Sequence, residues 1–588
     1  MHTDSDCAEI ASSWIDTFGR ALAASDAACA ATCIQPNGFL RDVLVFTWRN
    51  RTVRGTAEIT AYVGSALARG DISLAQFRLD DRAGFAPVVG PNISTSSPRA
   101  VSAGFVFVTA IGTGRGYFTL VPAHGSANSD SDGGTVWKAV AVFMTLWEIT
   151  GHEELGPEEG TYGGHTVAWE DVDAERREAV ERDPLGGGQT ALNVAARFRQ
   201  MRIPTLVIEQ YPRVGDSWRR RYPTLTLHTP KAHHSMLYHS YPDTWPIYTS
   251  RDKLANWLEQ YAISQDLCVW TNSRALPTPT YDHVARRWTV TVLRNGTNEI
   301  TLRPVHIVLA AGSIGAPRMP IPPCAAAAFA GTILHSTAYR GGRAFAGQDV
   351  VVVGAANSAA DICQDLVVQG ARTVTMVQRS STCVVSCESI RRVAERIWPK
   401  DVRIEVADFK WMATPFRLLK EVLSEKKDEL RAHEKDLHEK LTSAGMELNM
   451  GKDGSGQFPM FFERYGGLDV GCADLIGSGQ VKIKHGVEVA KLTEGSVIFT
   501  DGSSLPAQAI VFATGYESIR DTMRELFGDA VIDQTGPVWG VDGEGEIRGC
   551  YHTSGHPGLW FTGGNFVTSR FYSKQLALQI KAAELGLV

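Results

Sequence analysis

The sequence predicts an α/β protein with two doubly wound domains, one inserted within the other, behind a small α+β domain. Two glycine-rich turns lie about 170 residues apart in the 588-residue chain, and each precedes a helical pattern and a buried strand. A strand ending in Thr-Gly follows the second turn, whereas the first 150 residues read as a helix and then long strands. The predicted boundaries are an α+β domain at 1–150, a linker at 151–182, a first nucleotide domain at 183–345 and 506–588, and an inserted one at 346–505.

The first turn has the small residues of the dinucleotide fingerprint G-x-G-x-x-G/A at Gly186, Gly188 and Ala191. These positions permit a tight turn, let the backbone approach a pyrophosphate, and let the helix pack closely on its strand. The next strand, residues 205–208, ends in Glu209, where an acid can hydrogen-bond a ribose hydroxyl. The pattern therefore predicts a nucleotide site at this turn.

A buried strand should lead into this turn, but the preceding segment does not look like one. Residues 176–185 are mostly charged, and Pro184 lies just before the turn. We therefore expect the first strand to be truncated or absent. Each apolar side chain lost from it would remove ~1.5–3 kcal/mol, so the chain should fold less well than its relatives or hold its dinucleotide loosely.

The second turn follows an intact strand of four valines, residues 350–353. It begins at Gly354, but its second small position is Ala356, whose Cβ lies where the backbone should approach the pyrophosphate. The following strand, 374–377, ends near Arg379 and two serines, and a cation with hydroxyls suits the 2′-phosphate of NADP. We predict an NADP site that binds weakly or whose loop shifts.

Three further features complete the nucleotide domains. The charged stretch 414–445 is predicted to form one long helix. Residues 509–513 read as a buried strand ending in Thr514 and Gly515. Residues 559–561 form another strand, followed by a glycine pair and a C-terminal helix over about 569–585, a good position for anionic or electron-rich cofactor atoms.

Composition excludes several other classes of function. The net charge of −6 argues against a general nucleic-acid surface, and the ten cysteines include no C-x-x-C motif for zinc or redox chemistry. The start of the chain lacks signal-peptide features and no stretch approaches the ~20 apolar residues of a membrane helix, so we expect a soluble, cytoplasmic protein. The loop with His228, His233, His234 and His239 has spacing that suits no metal.

The N-terminal pattern resembles the SnoaL-like, nuclear-transport-factor-like cone fold. A helix is predicted over 8–24, followed by strands at 43–48, 105–109, 117–121 and 137–147. Members of that family have an apolar cavity and act as cyclases, isomerases or dimerisation modules. We find no convincing acid/base pair, because Asp42, Arg51 and His152 read as solvated surface residues. A structural role is expected, and a homo-oligomer through this domain is left open.

Four motifs between residues 183 and 588 resemble those of class B flavoprotein monooxygenases, nearest to the flavin-containing and YUCCA-type branch. Besides the two fingerprints, the order Phe329-x-Gly331-x-x-x-His335-x-x-x-Tyr339 matches the signature between the nucleotide domains, and Ala513-Thr514-Gly515-Tyr516 matches A-T-G-[YF]. The loop that begins at Leu225 is also YUCCA-like. The resemblance implies a monooxygenase in which NADPH reduces FAD and one oxygen atom from O₂ reaches a small organic substrate through a flavin C4a-hydroperoxide.

The resemblance also implies roles for individual residues. Gly186, Gly188, Ala191 and Glu209 would hold the ADP part of FAD, and His228 and Asn565 would serve catalysis beside the flavin. His228 would hydrogen-bond flavin, NADP⁺ or an oxygen intermediate, although a loop histidine bonded only to backbone fits equally well. The remaining cofactor-binding residues implied are Gly215, Trp218, Thr229, Gly312, Gly354, Ala356, Asn357, Ser358, Arg379, Thr514, Gly515, Gly563 and Gly564.

Two other functions were weighed against this one. A non-catalytic flavoprotein that acts as a binding or assembly module stays open, and competent NADPH oxidation would exclude it. A flavin disulfide reductase needs a cysteine pair near the flavin, and the residues after Gly215 contain none.

Overall fold

The computed structural model describes residues 4–123, 135–157, 166–169, 171–172, 184–186, 189–320, 328–451 and 466–588. An N-terminal unit comprises three helices and a mixed sheet in the strand order β2-β1-β7-β6-β5-β3, with β4 paired to β5. Only β1 and β7 run parallel among its paired strands in the described residues. Its elements are α1 (Asp4–Ala23), α2 (Ala27–Thr32), β1 (Ile34–Val43), β2 (Asn50–Arg54), α3 (Thr56–Leu67), β3 (Leu74–Leu79), β4 (Val88–Val89), β5 (Val101–Thr109), β6 (Gly112–Pro122) and β7 (Trp137–Ile149).

Aromatic side chains fill the interior between α1 and the sheet of this N-terminal unit. Trp14 stacks on Phe18 with ring centroids 4.9 Å apart, and its ring lies 4.5 Å from that of Phe118. Phe77 and Phe107 stack at 5.2 Å. Apolar burial of this kind supplies most of the stability of such a unit.

The prediction that Asp42 is a solvated surface residue is wrong. Its side chain is fully buried at the end of β1, accepts a hydrogen bond from the Tyr62 hydroxyl at 2.6 Å, and accepts another from the Val45 backbone at 2.8 Å. Desolvation raises the pKa of this carboxyl group to about 7, although these hydrogen bonds oppose the rise. Asp42 closes the turn after β1, where Leu44 has a positive φ of 67°.

A first α/β unit follows the N-terminal unit. Its parallel strands are β8 (Pro184–Gly186), β9 (Leu206–Ile208) and β10 (Cys268–Trp270). Strand β15 (Ile307–Leu309) lies beside β8 and pairs in parallel with β28 (Leu559–Phe561). The strand before the first turn is thus short, three residues, rather than absent. Helices α4 (Gln189–Gln200) and α5 (Asp216–Arg219), then α6 (Arg251–Ser264), continue this unit, and the antiparallel strands β11 (Ser273–Ala275), β12 (Thr280–Asp282), β13 (Arg287–Arg294) and β14 (Asn298–Leu302) flank it.

A second α/β unit is built on the parallel strand order β17-β26-β18-β19-β22. The valine strand is β18, as predicted. Strands β16 and β27 pair antiparallel between the two units. The strands are β16 (Ile314–Pro317), β17 (Thr332–His335), β18 (Asp349–Val353), β19 (Thr373–Gln378), β20 (Val384–Ser386), β21 (Gly467–Asp469), β22 (Val481–His485), β23 (Val489–Thr493), β24 (Ser496–Phe499), β25 (Ser504–Pro506), β26 (Ala509–Phe512) and β27 (Tyr516–Ser518).

The helices of the second half include one departure from prediction. The predicted single helix over 414–445 is wrong, because the chain forms three helices that break near Lys426 and Glu434. Glu434 is buried and accepts hydrogen bonds from the Ser386 backbone at 3.0 Å and hydroxyl at 2.9 Å, which draws the chain out of a straight helix. The helices are α7 (Asn357–Val368), α8 (Cys387–Ile397), α9 (Ile404–Met412), α10 (Phe416–Glu425), α11 (Lys427–His433), α12 (Lys435–Ser443), α13 (Cys472–Gly477), α14 (Ile519–Thr522), α15 (Arg524–Phe527), α16 (Asp529–Ile532) and α17 (Phe566–Glu584).

The sheet of the N-terminal unit packs on α9 and α17 of the same chain. Phe143 of β7 lies 5.3 Å from the Phe409 ring and 6.3 Å from the Phe571 ring. Arg41 of β1 reaches Glu546 at 2.6 Å within this apolar contact. The N-terminal unit and the first α/β unit therefore share one core. In the part of the chain that is described, no helix is long and apolar enough to cross a membrane.

Candidate functional site

The first glycine-rich turn lies at the end of β8 and leads into α4. Gly186 is the last residue of β8, Gly188 lies outside the described residues, and Ala191 is buried on α4. Gly215 precedes α5 with a φ of 87°, and a side chain there would clash with the Ala255 carbonyl. The positive φ and the nearby Ala255 carbonyl both favour glycine at position 215.

Glu209 lies just beyond the end of β9 and faces a small pocket. It shares the pocket wall with Gln189 at the start of α4 and with Gly215. Its carboxyl group is 6% exposed and accepts a hydrogen bond from the Tyr211 backbone at 2.9 Å. Desolvation raises the pKa of Glu209 to about 7, although this hydrogen bond opposes the rise. Among the described ion pairs none involves Glu209, so a buried acceptor is left for hydroxyl donors such as those of a ribose.

The second glycine-rich turn joins β18 to α7. Gly354 has a φ of 130°, and a side chain there would clash with the Ala513 carbonyl at the end of β26. Ala356 occupies the N-cap position of α7 in an extended conformation. Asn357 accepts a hydrogen bond from the Leu468 backbone at 2.6 Å, and Ser358 is half-buried in the first turn of α7. The helix N-terminus is thus held beside the turn, where its free backbone N–H groups favour an anion.

Arg379 follows β19 at the surface. Its side chain is largely exposed and pairs with Glu488 at 3.3 Å, itself half-exposed. The contact is weak because both groups are solvated, so the guanidinium is free to turn toward a phosphate group.

The signature residues of 329–339 lie in the segment before β18 and contact the second unit. His335 lies at the end of β17 and contacts the Gly515 carbonyl through Nε2 at 3.1 Å. Tyr339 is fully buried and donates a hydrogen bond to Asp365 of α7 at 2.6 Å. Gly331 leaves no room for a Cβ, which would clash with the Gln508 carbonyl. The signature therefore fixes how the chain crosses between the two units.

The crossing strands meet at Thr514 and Gly515. Thr514 donates its hydroxyl to the Arg318 carbonyl at 2.6 Å, and Gly515 has a φ of 79°. These contacts hold the segment that leaves the second unit after β26 against the segment that follows β16 on the way into that unit. Both residues thus lie where the chain passes between the units.

The carboxyl ends of β15 and β28 bring three predicted residues together. A Cβ on Gly563 would lie 3.1 Å from the Ser313 backbone nitrogen, next to Gly312, which has a φ of 92°. Gly564 has the same φ of 92° and faces the Trp539 ring. Ligands of open α/β sheets bind at such strand ends, and this arrangement fits a cofactor that approaches the backbone closely.

Asn565, Trp218 and Thr229 are each placed by local contacts. Asn565 caps α17, and its side-chain oxygen accepts hydrogen bonds from Thr568 N at 2.9 Å and from the Thr568 hydroxyl at 2.8 Å. Trp218 of α5 is buried under the Arg221 guanidinium, which lies 4.2 Å from its ring centroid. Thr229 is half-buried in the loop after His228. A capping role for Asn565 was not predicted.

His228 lines a cleft of about 480 Å³ between the two α/β units. Its Nε2 lies 3.2 Å from Asp361 Oδ1 on α7, and its carbonyl accepts a contact from Cys387 Sγ at 3.5 Å. Tyr222 donates its hydroxyl to the other Asp361 oxygen at 2.5 Å. Cys387 is a thiol whose pKa desolvation raises to about 12, so it is not a nucleophile.

Sequence reasoning did not single out Tyr222, Asp361 and Asp365. The two aspartates are four residues apart in α7, and that spacing places both on one face of a helix. The spacing was thus a usable signal, but nothing in the sequence says which surface this face contacts. Among the described residues, no group of three metal-ligating side chains is arranged to hold a metal ion.

Two known proteins are similar to this chain in sequence. The rice protein Indole-3-pyruvate monooxygenase YUCCA1 (Oryza sativa subsp. japonica) is 29% identical over 336 residues, which is 57% of this chain and 76% of that protein. Indole-3-pyruvate monooxygenase YUCCA8 (Oryza sativa subsp. indica) is 30% identical over 343 residues, 57% of this chain and 75% of that protein.

Two solved structures were also matched. A flavin-containing monooxygenase from Stenotrophomonas maltophilia has 16% identity and a TM-score of 0.46, covering 68% of this chain and 98% of that one. Cyclohexanone monooxygenase in its Loose conformation has 16% identity and a TM-score of 0.49, covering 69% and 88%.

A family model, "Flavin-binding monooxygenase-like", matches residues 216–525, more than half of the chain. The match spans the loop of His228, the signature of 329–339, the second glycine-rich turn and the Thr514-Gly515 crossing. The matched proteins named above are monooxygenases, and monooxygenases are oxidoreductases. This chain therefore belongs to the flavin-binding monooxygenase-like family and is an oxidoreductase.

Proposed function

We propose that this protein is an FAD- and NADPH-dependent monooxygenase that transfers one oxygen atom from O₂ to a small organic substrate. The observation that supports the proposal most directly is the cleft between the two α/β units, which has His228 on one wall and Asp361 on the other. A reaction that needs two dinucleotides side by side requires such a cleft.

The residues of the first unit fit the ADP part of FAD. Glu209 supplies a buried carboxylate for the ribose hydroxyls, and the start of α4 supplies backbone N–H groups for the pyrophosphate. Gly312, Gly563 and Gly564 leave room for a ring system to approach the backbone. When bound, FAD supplies the redox chemistry with NADPH and O₂.

The residues of the second unit fit NADPH. Gly354 and the N-terminus of α7 face the pyrophosphate in this proposal, and Ala356, Asn357 and Ser358 form the turn around it. Arg379 supplies the cation for the 2′-phosphate, which distinguishes NADPH from NADH. Thr514 and Gly515 hold the crossing between the units.

Around the cleft, the chain itself orients groups and excludes water. His228 offers a ring nitrogen that can donate or accept a proton at the cleft wall, with Thr229 beside it. On the proposed flavin side, Trp218 is buried and Asn565 caps the start of α17. A walled cleft of this kind would keep water from the reacting groups.

The cleft also bears on the substrate class. Its described lining includes two aspartates, Asp361 and Asp365, and no lysine or arginine. The relatives are named for indole-3-pyruvate, a carboxylate, and an acidic wall would repel an anion. We therefore favour neutral or cationic substrates, such as amines or sulfides, over 2-oxo acids.

The N-terminal unit, with the SnoaL-like cone fold as its proposed family, has a structural role in this proposal. Its sheet contacts α9 and α17 of the same chain, so that face is occupied within one molecule. The boundaries 1–150, 151–182, 183–345, 346–505 and 506–588 remain our proposed domain limits. A cytoplasmic location is likewise proposed.

The first test is a visible spectrum of the purified protein before and after anaerobic addition of NADPH. A flavin spectrum that bleaches, followed by O₂-dependent NADPH consumption with amines or sulfides but not with 2-oxo acids, is the expected result. A flavin spectrum that NADPH does not bleach would favour the non-catalytic flavoprotein. A colourless protein that takes up no added FAD would contradict both.

A further inference from the structure

Two tyrosines donate hydrogen bonds to aspartates on one face of α7. Tyr222 of the first unit donates its hydroxyl to Asp361 at 2.5 Å, and Tyr339, between β17 and β18, donates its hydroxyl to Asp365 at 2.6 Å. The Gly342 backbone donates to the same Asp365 oxygen at 2.7 Å. Because the two aspartates are one helical turn apart, both pairs hold the same face of the helix.

The two pairs differ in what else they contact. Asp365 is buried, and both its donors, Tyr339 and Gly342, lie between β17 and β18. Asp361 lies one helical turn nearer to the second glycine-rich turn. Tyr222 bonds its Oδ2, and its Oδ1 lies 3.2 Å from His228 Nε2. Asp361 thus contacts a tyrosine and a histidine that belong to the loop of the first unit, 139 residues before it in the case of Tyr222.

A carboxylate in this position determines the state of the imidazole. An acceptor beside Nε2 favours the tautomer in which Nε2 carries the proton, and it leaves Nδ1 as the acceptor. Other charged groups also lie near this wall. Asp365 lines the cleft, Asp469 lies near Cys387, and Arg221 lies beside Tyr222. Arg391, Glu388 and Glu395 lie near Tyr248.

We propose that Asp361 is a positioning residue, which orients the His228 imidazole in the cleft and ties the start of α7 to the flavin-side loop. The proposal rests on the function proposed above. As a consequence, dinucleotide binding at the start of α7 is coupled to the orientation of His228, because Asp361, which contacts His228, lies in the same part of the helix. The coupling needs no movement of either unit, because one carboxylate contacts both sides.

The test compares three variants of the full chain. Asp361→Asn keeps the size of the side chain and still accepts from Tyr222, but its amide donates to His228 and reverses the tautomer. Tyr222→Phe removes the tyrosine hydrogen bond and leaves the histidine contact. His228→Gln removes the imidazole ring.

We first expect an effect that needs no cofactor. With ¹⁵N-labelled histidine, the His228 ring should report a protonated Nε2 in the wild type and in Tyr222→Phe, and a protonated Nδ1 in Asp361→Asn. An unchanged tautomer in Asp361→Asn would overturn the proposal, whatever the enzyme does. Because this measurement uses no flavin, it stays valid if the monooxygenase function fails.

In the FAD-loaded protein we expect the rate of flavin reduction by NADPH to fall roughly 10- to 100-fold in Asp361→Asn, the range for loss of one charge-assisted hydrogen bond. The limb of the pH profile that His228→Gln removes should also be lost. The double variant Asp361→Asn/His228→Gln should be no slower than the worse single variant. The positioning role of Asp361 would be overturned by additive losses of the reduction rate in the double variant. A rate loss in Tyr222→Phe equal to that in Asp361→Asn would overturn it as well, because both results would indicate a structural role only.

Discussion

The buried ion pair between Arg41 and Glu546 gives the sharpest prediction about the N-terminal unit. Arg41 donates to both carboxylate oxygens at 2.6 and 2.7 Å and to the Tyr572 hydroxyl at 2.7 Å. The two charged side chains are only 6% and 3% exposed. Thr52 donates a further hydrogen bond to Glu546 at 2.6 Å, so the pair is fully enclosed between the N-terminal sheet and the first α/β unit.

The perturbation is Glu546→Gln, which leaves the Arg41 guanidinium buried without a counter-charge. Breaking one side of a buried pair costs about 3–5 kcal/mol in the free energy of unfolding. The matched control is Glu544→Gln, because Glu544 pairs with Arg51 across the same interface at 2.6 Å but the two side chains are 38% and 31% exposed. Such an exposed pair is worth about 0–1 kcal/mol.

The assay is urea unfolding followed by tryptophan fluorescence, with Glu546→Gln and Glu544→Gln measured in parallel. A third variant, Arg41→Met with Glu546→Met, removes both charges and should recover part of the lost stability. Equal stability of the two single variants would refute the reasoning, because burial would then not distinguish the pairs. A double variant less stable than Glu546→Gln would refute it as well.

Three further predictions concern the nucleotide sites. Arg379→Ala should raise KM for NADPH roughly tenfold or more with little change for NADH, since one charge-assisted contact is lost, whereas Arg372→Ala on the same sheet should change neither. The folded apo-protein keeps a proton on Glu209 up to about pH 7, while the unfolded chain releases it near pH 4.5. Its free energy of unfolding should therefore fall as pH rises between these values, and Glu209→Gln should reduce that slope in urea titrations, leaving the part that the raised pKa of Asp42 contributes over the same range. Glu154 pairs with two buried cations, Arg197 and Lys574. Glu154→Gln should lower the free energy of unfolding by about 3–5 kcal/mol, because both cations then lose this carboxylate.

Each of these predictions has an outcome that contradicts it. Equal KM changes for NADPH and NADH in Arg379→Ala would mean that the residue does not contact the 2′-phosphate. A pH-independent stability of the wild type between pH 4.5 and 7 would mean that Glu209 is ionised when buried. Wild-type stability of Glu154→Gln at neutral pH would show that its two cations are satisfied elsewhere.

Local patterns in the sequence predicted local structure well. The valines before Gly354 form a central strand, and the small residues at Gly215 and Gly354 are explained by positive φ values and by backbone close behind them. The break at Glu434 was missed because it depends on hydrogen bonds from Ser386, which lies 48 residues earlier in the chain. The capping role of Asn565 depends on Thr568 three residues later, a signal that the sequence did contain.

Contacts between distant segments could not be predicted in the same way. Arg41 and Glu546 are 505 residues apart, and Tyr222 and Asp361 are 139 residues apart. Periodicity identifies which face of a helix or strand is polar or apolar, but it does not identify the surface that the face meets. The walls of the cleft are formed by such long-range contacts, so their partners emerged only from the structure.

The short strand β8 raises the question of what supports the first glycine-rich turn. Helix α4, which follows the turn, is anchored on its far side: Asn193 donates to Ser569 of α17 at 2.7 Å and accepts from the Leu237 backbone at 3.0 Å. One turn later, Arg197 bonds Glu154 at 2.5 Å.

Glu154 belongs to the segment that follows β7, and it also contacts Lys574 of α17 at 2.5 Å and the Tyr238 hydroxyl at 2.6 Å. Burial alone would raise the pKa of Glu154, but Arg197 and Lys574 lower it to about 2, so the carboxylate is ionised at neutral pH. A single anion therefore fixes α4 against α17. Most nucleotide turns are supported by the preceding strand, whereas part of the support here comes from the following helix, through a residue just after the N-terminal unit. A loss of FAD retention in Glu154→Gln, greater than that in Glu546→Gln at equal loss of stability, would follow from this arrangement.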